Sequence, residues 1–331
     1  MKILFIGGTG TISMAITRLL NERKEDLYLL NRGNRNDDVP LDVKLINVDI
    51  NDEDKVKELI NDLYFDCVAD FIAFNKEQVE RDYRLFKDKT KQFIFISSAS
   101  AYQKPPKSIV ITEETPLENP YWEYSRNKIE CEKLLHTYMK EGFPVTIVRP
   151  SHTYDERRIP TCIHGHNGSY QVIKRMMEGK EVILPDDGNS LWTLTYNKDF
   201  AKGFVGLIGN KKAIGETYHI TSDETLSWNE IYQIIADHLN VELKVHYYPS
   251  IELAKSRLYD MGGNLLGDKA NSVKFDNSKI KAISKDFKDI TSFKEGARIV
   301  IDSIMSHPEY QDDDLEFDEW CDEVISTGNI R

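Results

Sequence analysis

Lys2-Ile3-Leu4-Phe5-Ile6-Gly7-Gly8-Thr9-Gly10-Thr11-Ile12-Ser13-Met14-Ala15-Ile16-Thr17-Arg18-Leu19-Leu20 is the stretch that decides the fold of this chain. A short apolar run of strand type leads into three glycines. Ile12, Ala15, Ile16, Leu19 and Leu20 then recur at helical spacing along one face. Glycines between a strand and a helix let the backbone turn tightly and approach a phosphate, whose charge meets the helix N-terminus. In that context the loop reads as a dinucleotide cradle, with Gly7, Gly10, Thr11 and Ile12 as its contacts. A third glycine at the usual spacing would fall at position 13. Ser13 stands there, and it is small enough for the helix to dock.

Downstream, strand and helix signals keep alternating. Leu27 to Leu30, Val43 to Val48, Cys67 to Ala73, Phe93 to Ile96 and Val145 to Val148 read as strands. Lys55 to Leu63, Glu77 to Phe86 and Tyr121 to Met139 read as helices. This alternation predicts an α/β fold with a doubly wound, parallel Rossmann sheet over residues 1–150. Later segments can return to its core. After Pro150 the pattern loosens, with helices expected at Tyr170 to Glu178, Asp199 to Ile208, Trp228 to Leu239 and Phe293 to Met305. Residues 151–331 are therefore expected to form mainly a smaller, mixed α/β substrate lobe. Its acidic end, Asp312 to Glu319, reads as a solvated tail.

Charge and composition narrow the partners. The net charge of −12 disfavours nucleic acid, whose phosphates need Lys and Arg. No apolar run is long enough to span a membrane. The N-terminus enters the glycine loop without a signal-peptide layout, and the four cysteines are scattered. Both features point to a cytoplasmic protein with reduced thiols and a small-molecule substrate. A homodimer is compatible with all of this.

Two positions bear on the dinucleotide. A carboxylate at the tip of the second strand would hold a ribose 2′-hydroxyl. Asn31 and Arg32 stand there instead, with Arg35 nearby, and a guanidinium suits a 2′-phosphate. NADP(H) is thus favoured over NAD(H), unless both arginines are only solvated loop residues. Asp49, beside Ile50, is placed either to accept from an adenine amino group or to cap the following helix.

The chemistry gathers in Tyr124-Ser125-Arg126-Asn127-Lys128, where i and i+4 put a phenol and an ammonium on one helix face. Tyr83/Lys87 and Tyr170/Lys174 share the spacing but not the context. Only Tyr124 follows a strand ending in Ser97-Ser98-Ala99-Ser100, on the last long helix before the Val145 strand. Together with the glycine loop, Arg149-Pro150, Asp187-Gly188 and Gly215 to Ile220, these residues resemble the extended short-chain dehydrogenase/reductases. The branch resembled is the NAD-dependent epimerase/dehydratase group. The wording of the loop and of Leu30-Asn31-Arg32-Gly33 is similar to an atypical branch related to plant chloroplast stem-loop-binding proteins.

The resemblance implies that Tyr124 is the general acid/base. Lys128 would hold the nicotinamide ribose and favour the phenolate, and Ser98, chosen over Ser97 and Ser100, would bind the reacting oxygen. It implies an NAD(P)-dependent epimerase or reductase acting on a sugar-like, possibly nucleotide-linked, hydroxyl or carbonyl compound. Ala99 and Ser100 replace the acid pair of dehydratases, which disfavours dehydration. Trp192 stands where such enzymes carry a diphosphate-binding arginine, and His152 where an asparagine is common. Both are candidate substrate contacts, and Trp192 equally suits core packing. Cys162, His164 and His166 lack an obvious fourth ligand, so no metal is expected. The rival reading is a cofactor-binding regulator or RNA-associated protein on the same fold.

Overall fold

The computed structural model describes residues 1–330; Arg331, the end of the expected lobe, lies outside them. Strands β1 (Lys2–Ile6), β2 (Asp26–Asn31), β3 (Lys44–Asn47), β4 (Cys67–Asp70) and β5 (Phe93–Ile96) alternate with helices. These helices are α1 (Thr11–Glu22), α2 (Glu53–Leu59), α3 (Lys76–Phe86) and α4 (Glu123–Lys140). After β6 (Val110–Ile111) come β7 (Val145–Pro150), β8 (His152–Tyr154), α5 (Tyr170–Met177), β9 (Val182–Pro185), β10 (Leu191–Trp192), β11 (Leu194–Tyr196), α6 (Asn197–Val205) and β12 (Thr217–Ile220). Seven strands form one sheet in the order β12-β7-β5-β4-β1-β2-β3, every neighbour parallel.

The sheet is apolar on both faces, as parallel strands covered by crossover helices must be. One face packs Ile16 and Leu20 of α1 with Phe200 and Phe204 of α6. The other packs Val56 of α2, Val79 and Phe86 of α3 and Leu135 of α4. The break at Pro150 therefore does not divide the sheet, because β12 pairs with β7 and α6 lies against α1. Residues between these returns and the C-terminus build a second core around Trp192, Trp228, Phe275 and Trp320.

The acidic end is not a solvated tail. Leu315–Thr327 is a helix whose Phe317, Trp320, Cys321 and Val324 are buried. Its acids meet cations of the lobe: Arg175 reaches Asp318 at 2.6 Å and Asp322 at 2.7 Å, and Lys174 reaches Asp313 at 2.7 Å. The apolar spacing i, i+3, i+4, i+7 within the acidic run outweighs its charge. All four cysteines are unpaired and buried. No helix among the described residues is long and apolar enough to cross a membrane.

Candidate active site

The glycine loop is held by backbone geometry. Gly7 and Gly8 have φ of +99° and +100°, where a side chain is strained. A Cβ on Gly8 would stand 2.6 Å from Leu29 Cδ2. Ser13 takes up its glycine-like place buried at the start of α1, its Oγ accepting from Gly10 N at 2.9 Å. Thr17 Oγ1 donates to Gly8 O at 3.0 Å, tying α1 to the loop.

The loop opens on a cavity of about 610 Å³ lined by Gly7, Gly8, Gly10, Asn31, Arg32, Arg35, Asp49, Ile50 and others. Asn31 shapes its rim: Oδ1 accepts from Gly33 N at 2.8 Å and Nδ2 donates to Asn36 at 2.9 Å. Arg32 and Arg35 are exposed there. Asp49 does not cap α2. Its carboxylate accepts from Asn51 N at 2.9 Å, and the cap is Asp52, which accepts from Lys55 N at 3.2 Å. A glycine cradle with no room for a Cβ, beside a groove carrying two exposed guanidiniums, fits a dinucleotide's phosphates. Thr11 and Ile12 do not line this cavity. Thr11 is gripped from the lobe by Arg157 Nη2 at 3.2 Å and Asn197 Nδ2 at 3.1 Å. Ile12 packs into the apolar layer under the sheet.

Phe74, which sequence reasoning missed, lies on the wall of the dinucleotide cavity. Its ring sits 6.3 Å from that of Tyr124, which lines a second cavity of about 420 Å³ with Ser98, His152, His164, Trp192, Asp268 and Lys269. Ser98 follows the end of β5 by two residues and lines this second cavity. Its Oγ pairs with Ser100 Oγ at 2.8 Å, and Ser125 Oγ donates to Ser100 Oγ at 2.8 Å. Ser97 points the other way and donates to Glu132, whose carboxylate is held by Arg149 at 2.6 and 2.9 Å.

Lys128 is buried, and its Nζ donates to Ala73 O and Ile96 O, each at 2.7 Å. Burial brings its pKa down to about 8. Burial raises the Tyr124 phenol, opposed by a hydrogen bond from Ser98. Lys128 Nζ lies 5.8 Å from the Tyr124 ring centroid, and its two carbonyl acceptors leave one of its three protons for another partner. The other two Tyr-Lys pairs lie outside both cavities. Tyr83 stacks on Tyr138 at 3.8 Å, and Tyr170 hydrogen-bonds Gln311 at 3.3 Å.

Trp192 is 3% exposed and stacks on Trp228 at 6.0 Å, so it both packs and lines the second cavity. His152 lines the same cavity, its pKa driven well down by burial. Cys162, His164 and His166 do not converge. Cys162 Sγ meets the Tyr232 hydroxyl at 3.2 Å, His164 Nδ1 bonds Gly165 O at 2.8 Å, and the His166 ring lies 4.8 Å from that of Tyr259. Asp268 and Lys269 gave no local signal in the sequence. They reach the cavity from more than a hundred residues beyond Tyr124, through the packing of the lobe.

Known proteins resemble this chain in sequence and in fold. A Bacillus subtilis protein described as an uncharacterized UDP-glucose epimerase is 27% identical over 183 residues, 55% of each chain. The chloroplast stem-loop binding protein of 41 kDa b of Arabidopsis thaliana is 25% identical over 248 residues, 71% of this chain and 62% of that one. The chain thus spans between half and two-thirds of the length of these curated relatives. The crystal structure of a Bacillus cereus UDP-glucuronic acid 4-epimerase with UDP-glucuronic acid and NAD shares the fold, with a TM-score of 0.73 at 20% identity, over 92% of this chain and 99% of that one. The sequence model of the NAD dependent epimerase/dehydratase family matches residues 3–221, two thirds of the chain, including the glycine loop, Ser98 and the Tyr124/Lys128 helix. The chain belongs to the NAD dependent epimerase/dehydratase family.

Proposed function

We propose that this protein is an NAD(P)-dependent epimerase or reductase of a sugar-like hydroxyl or carbonyl compound. The observation that carries the reading is the meeting of two cavities at Phe74 and Tyr124, one floored by the glycine cradle and the other lined by Ser98. A nicotinamide dinucleotide bound in the first supplies a hydride acceptor or donor. Gly7, Gly8 and Gly10 hold its phosphates, and Lys128 holds the nicotinamide ribose. Ser98 binds the reacting oxygen, and Tyr124 takes or returns that oxygen's proton. A ketone that turned over and took the hydride back on its other face, its oxygen regaining the proton from Tyr124, would give epimerisation; one that left would give oxidation, and the reverse step would be reduction. Ala99 and Ser100 stand where dehydratases carry an acid pair, so the reading leaves elimination out. Arg32 and Arg35 favour NADP(H), while the NAD named for the Bacillus cereus structure supports the nicotinamide class.

Calorimetry with the four nicotinamide dinucleotides tests the first step, and binding of none overturns the reading. Arg32→Asp is expected to shift the NADP(H)/NAD(H) affinity ratio toward NAD(H), and an unchanged ratio removes Arg32 from cofactor choice. Tyr124→Phe is expected to keep cofactor affinity and lose about 100- to 10,000-fold in single-turnover hydride transfer. Tyr83→Phe and Tyr170→Phe serve as controls that leave the rate unchanged, and a Tyr124→Phe variant with full activity refutes the assignment. The name of the Arabidopsis relative favours a second reading, an RNA-associated protein on this fold. The net charge of −12 weighs against it, since phosphate contacts need cations.

A further inference from the structure

The second cavity is lined by a buried cation that has no carboxylate in ion-pair contact. Lys269 is 5% exposed and lines the cavity. Its Nζ donates to Thr161 O at 3.0 Å and Cys162 O at 3.1 Å, which uses two of its three protons. Among the described residues no carboxylate lies within 4.0 Å of it. The adjacent Asp268 is turned to Lys104, 3.8 Å away. A buried ammonium without a carboxylate in contact is costly, and burial lowers its pKa, opposed at longer range by Asp268.

The surroundings define what would satisfy it. Trp192 lines the same cavity, and its Nε1–H is buried with no hydrogen-bond partner. The rings of His152 and His164 also line it, and the Lys269 charge, after burial, disfavours their protonation. His164 is anchored through Nδ1 to Gly165 O. The His152 ring makes no hydrogen bond to a described residue, so it supplies an N–H donor in its neutral form. No arginine lines the cavity, whereas Asp260 and Asp268 do. One ammonium balances one negative charge. The multiple charges of a nucleoside diphosphate would be left largely uncompensated by it.

We propose that Lys269, with His152 beside it, receives a carboxylate group of the substrate, so that the cavity takes an acidic sugar of the uronic acid class. Lys269 gives its third proton to one carboxylate oxygen and His152 donates to the other. The proposal rests on the reading of this cavity as the substrate site.

The test is calorimetry on the cofactor-saturated protein with D-glucuronate, D-glucose and uridine diphosphate as probes. D-glucuronate is expected to bind at least about tenfold tighter than D-glucose, the scale of one charged hydrogen bond. Lys269→Met is expected to abolish that difference. Equal binding of the two sugars by the unaltered protein overturns the proposal without any variant. Tighter binding of uridine diphosphate than of D-glucuronate, lost in Lys269→Met, also overturns it in favour of a phosphate site. A protein that binds no nicotinamide dinucleotide fails at the earlier reading instead, so the two failures are distinguishable.

Discussion

Lys128 is a single side chain whose burial couples chemistry to pH. With its pKa brought down to about 8, the ammonium that is to hold the ribose is lost as the pH rises through that value. Hydride-transfer kcat/KM, which reports the free enzyme, is expected to be flat near neutrality and to fall about tenfold per pH unit above 8. Stability moves the opposite way. The folded pKa lies below the ordinary lysine value of 10.5, so between about 8 and 10.5 the folded state binds fewer protons than the unfolded one. Stability from this group is therefore fully present above 10.5 and is lost as the pH falls toward 8. Lys128→Arg is expected to carry the alkaline limb of activity out of range. A limb that stays at pH 8 in that variant assigns it to another group.

At the scale of elements, the glycine turn between β1 and α1 is where local rules and function coincide. Gly8→Ala combines a φ of +100° with a Cβ 2.6 Å from Leu29 Cδ2. The loss expected is about 2–4 kcal/mol, from backbone strain and overpacking together, with loss of the cofactor-induced rise in Tm. Gly142→Ala separates the two causes, because φ is +95° there but no atom lies within 4 Å, so about 1–2 kcal/mol is expected. Equal losses in the two variants would remove the steric argument at Leu29. Elements of this kind were legible in the sequence, since strand length, helical period and glycine position are all local signals. Trp228–Leu239 falls where its apolar period places it, and Phe293–Ser306 ends one residue later than expected. The surroundings of Thr11 were less legible, because it is held by Arg157 and by Asn197 at the start of α6, 146 and 186 residues away along the chain. Asp268, Lys269 and Phe74 were missed on the same ground, because nothing near them in the chain marks the cavities they line.

The whole molecule is two apolar layers on the sheet and a third core in the lobe, and the acidic C-terminal helix closes that third core. Trp320 is 1% exposed, stacked on Phe317 at 5.8 Å and set edge-on to Tyr259 at 5.5 Å. It belongs to the same cluster as Trp192, Trp228 and Phe275, and the first and last of these line the second cavity. Trp320→Ala removes one of the largest buried side chains and leaves a void that this rigid cluster cannot readily fill. The expected cost is about 3–5 kcal/mol by denaturant unfolding. The dinucleotide cavity rests on the two layers of the sheet instead, so affinity for the cofactor is expected to survive while turnover falls with the loosened lobe. Leu315→Ala, at a side chain 66% exposed on the same helix, is expected to stay within about 0.5 kcal/mol of the unaltered protein. A Trp320→Ala protein as stable as Leu315→Ala would mean that the acidic segment is an appendage after all. A Trp320→Ala protein that loses cofactor affinity together with turnover would mean that lobe and sheet unfold as one unit.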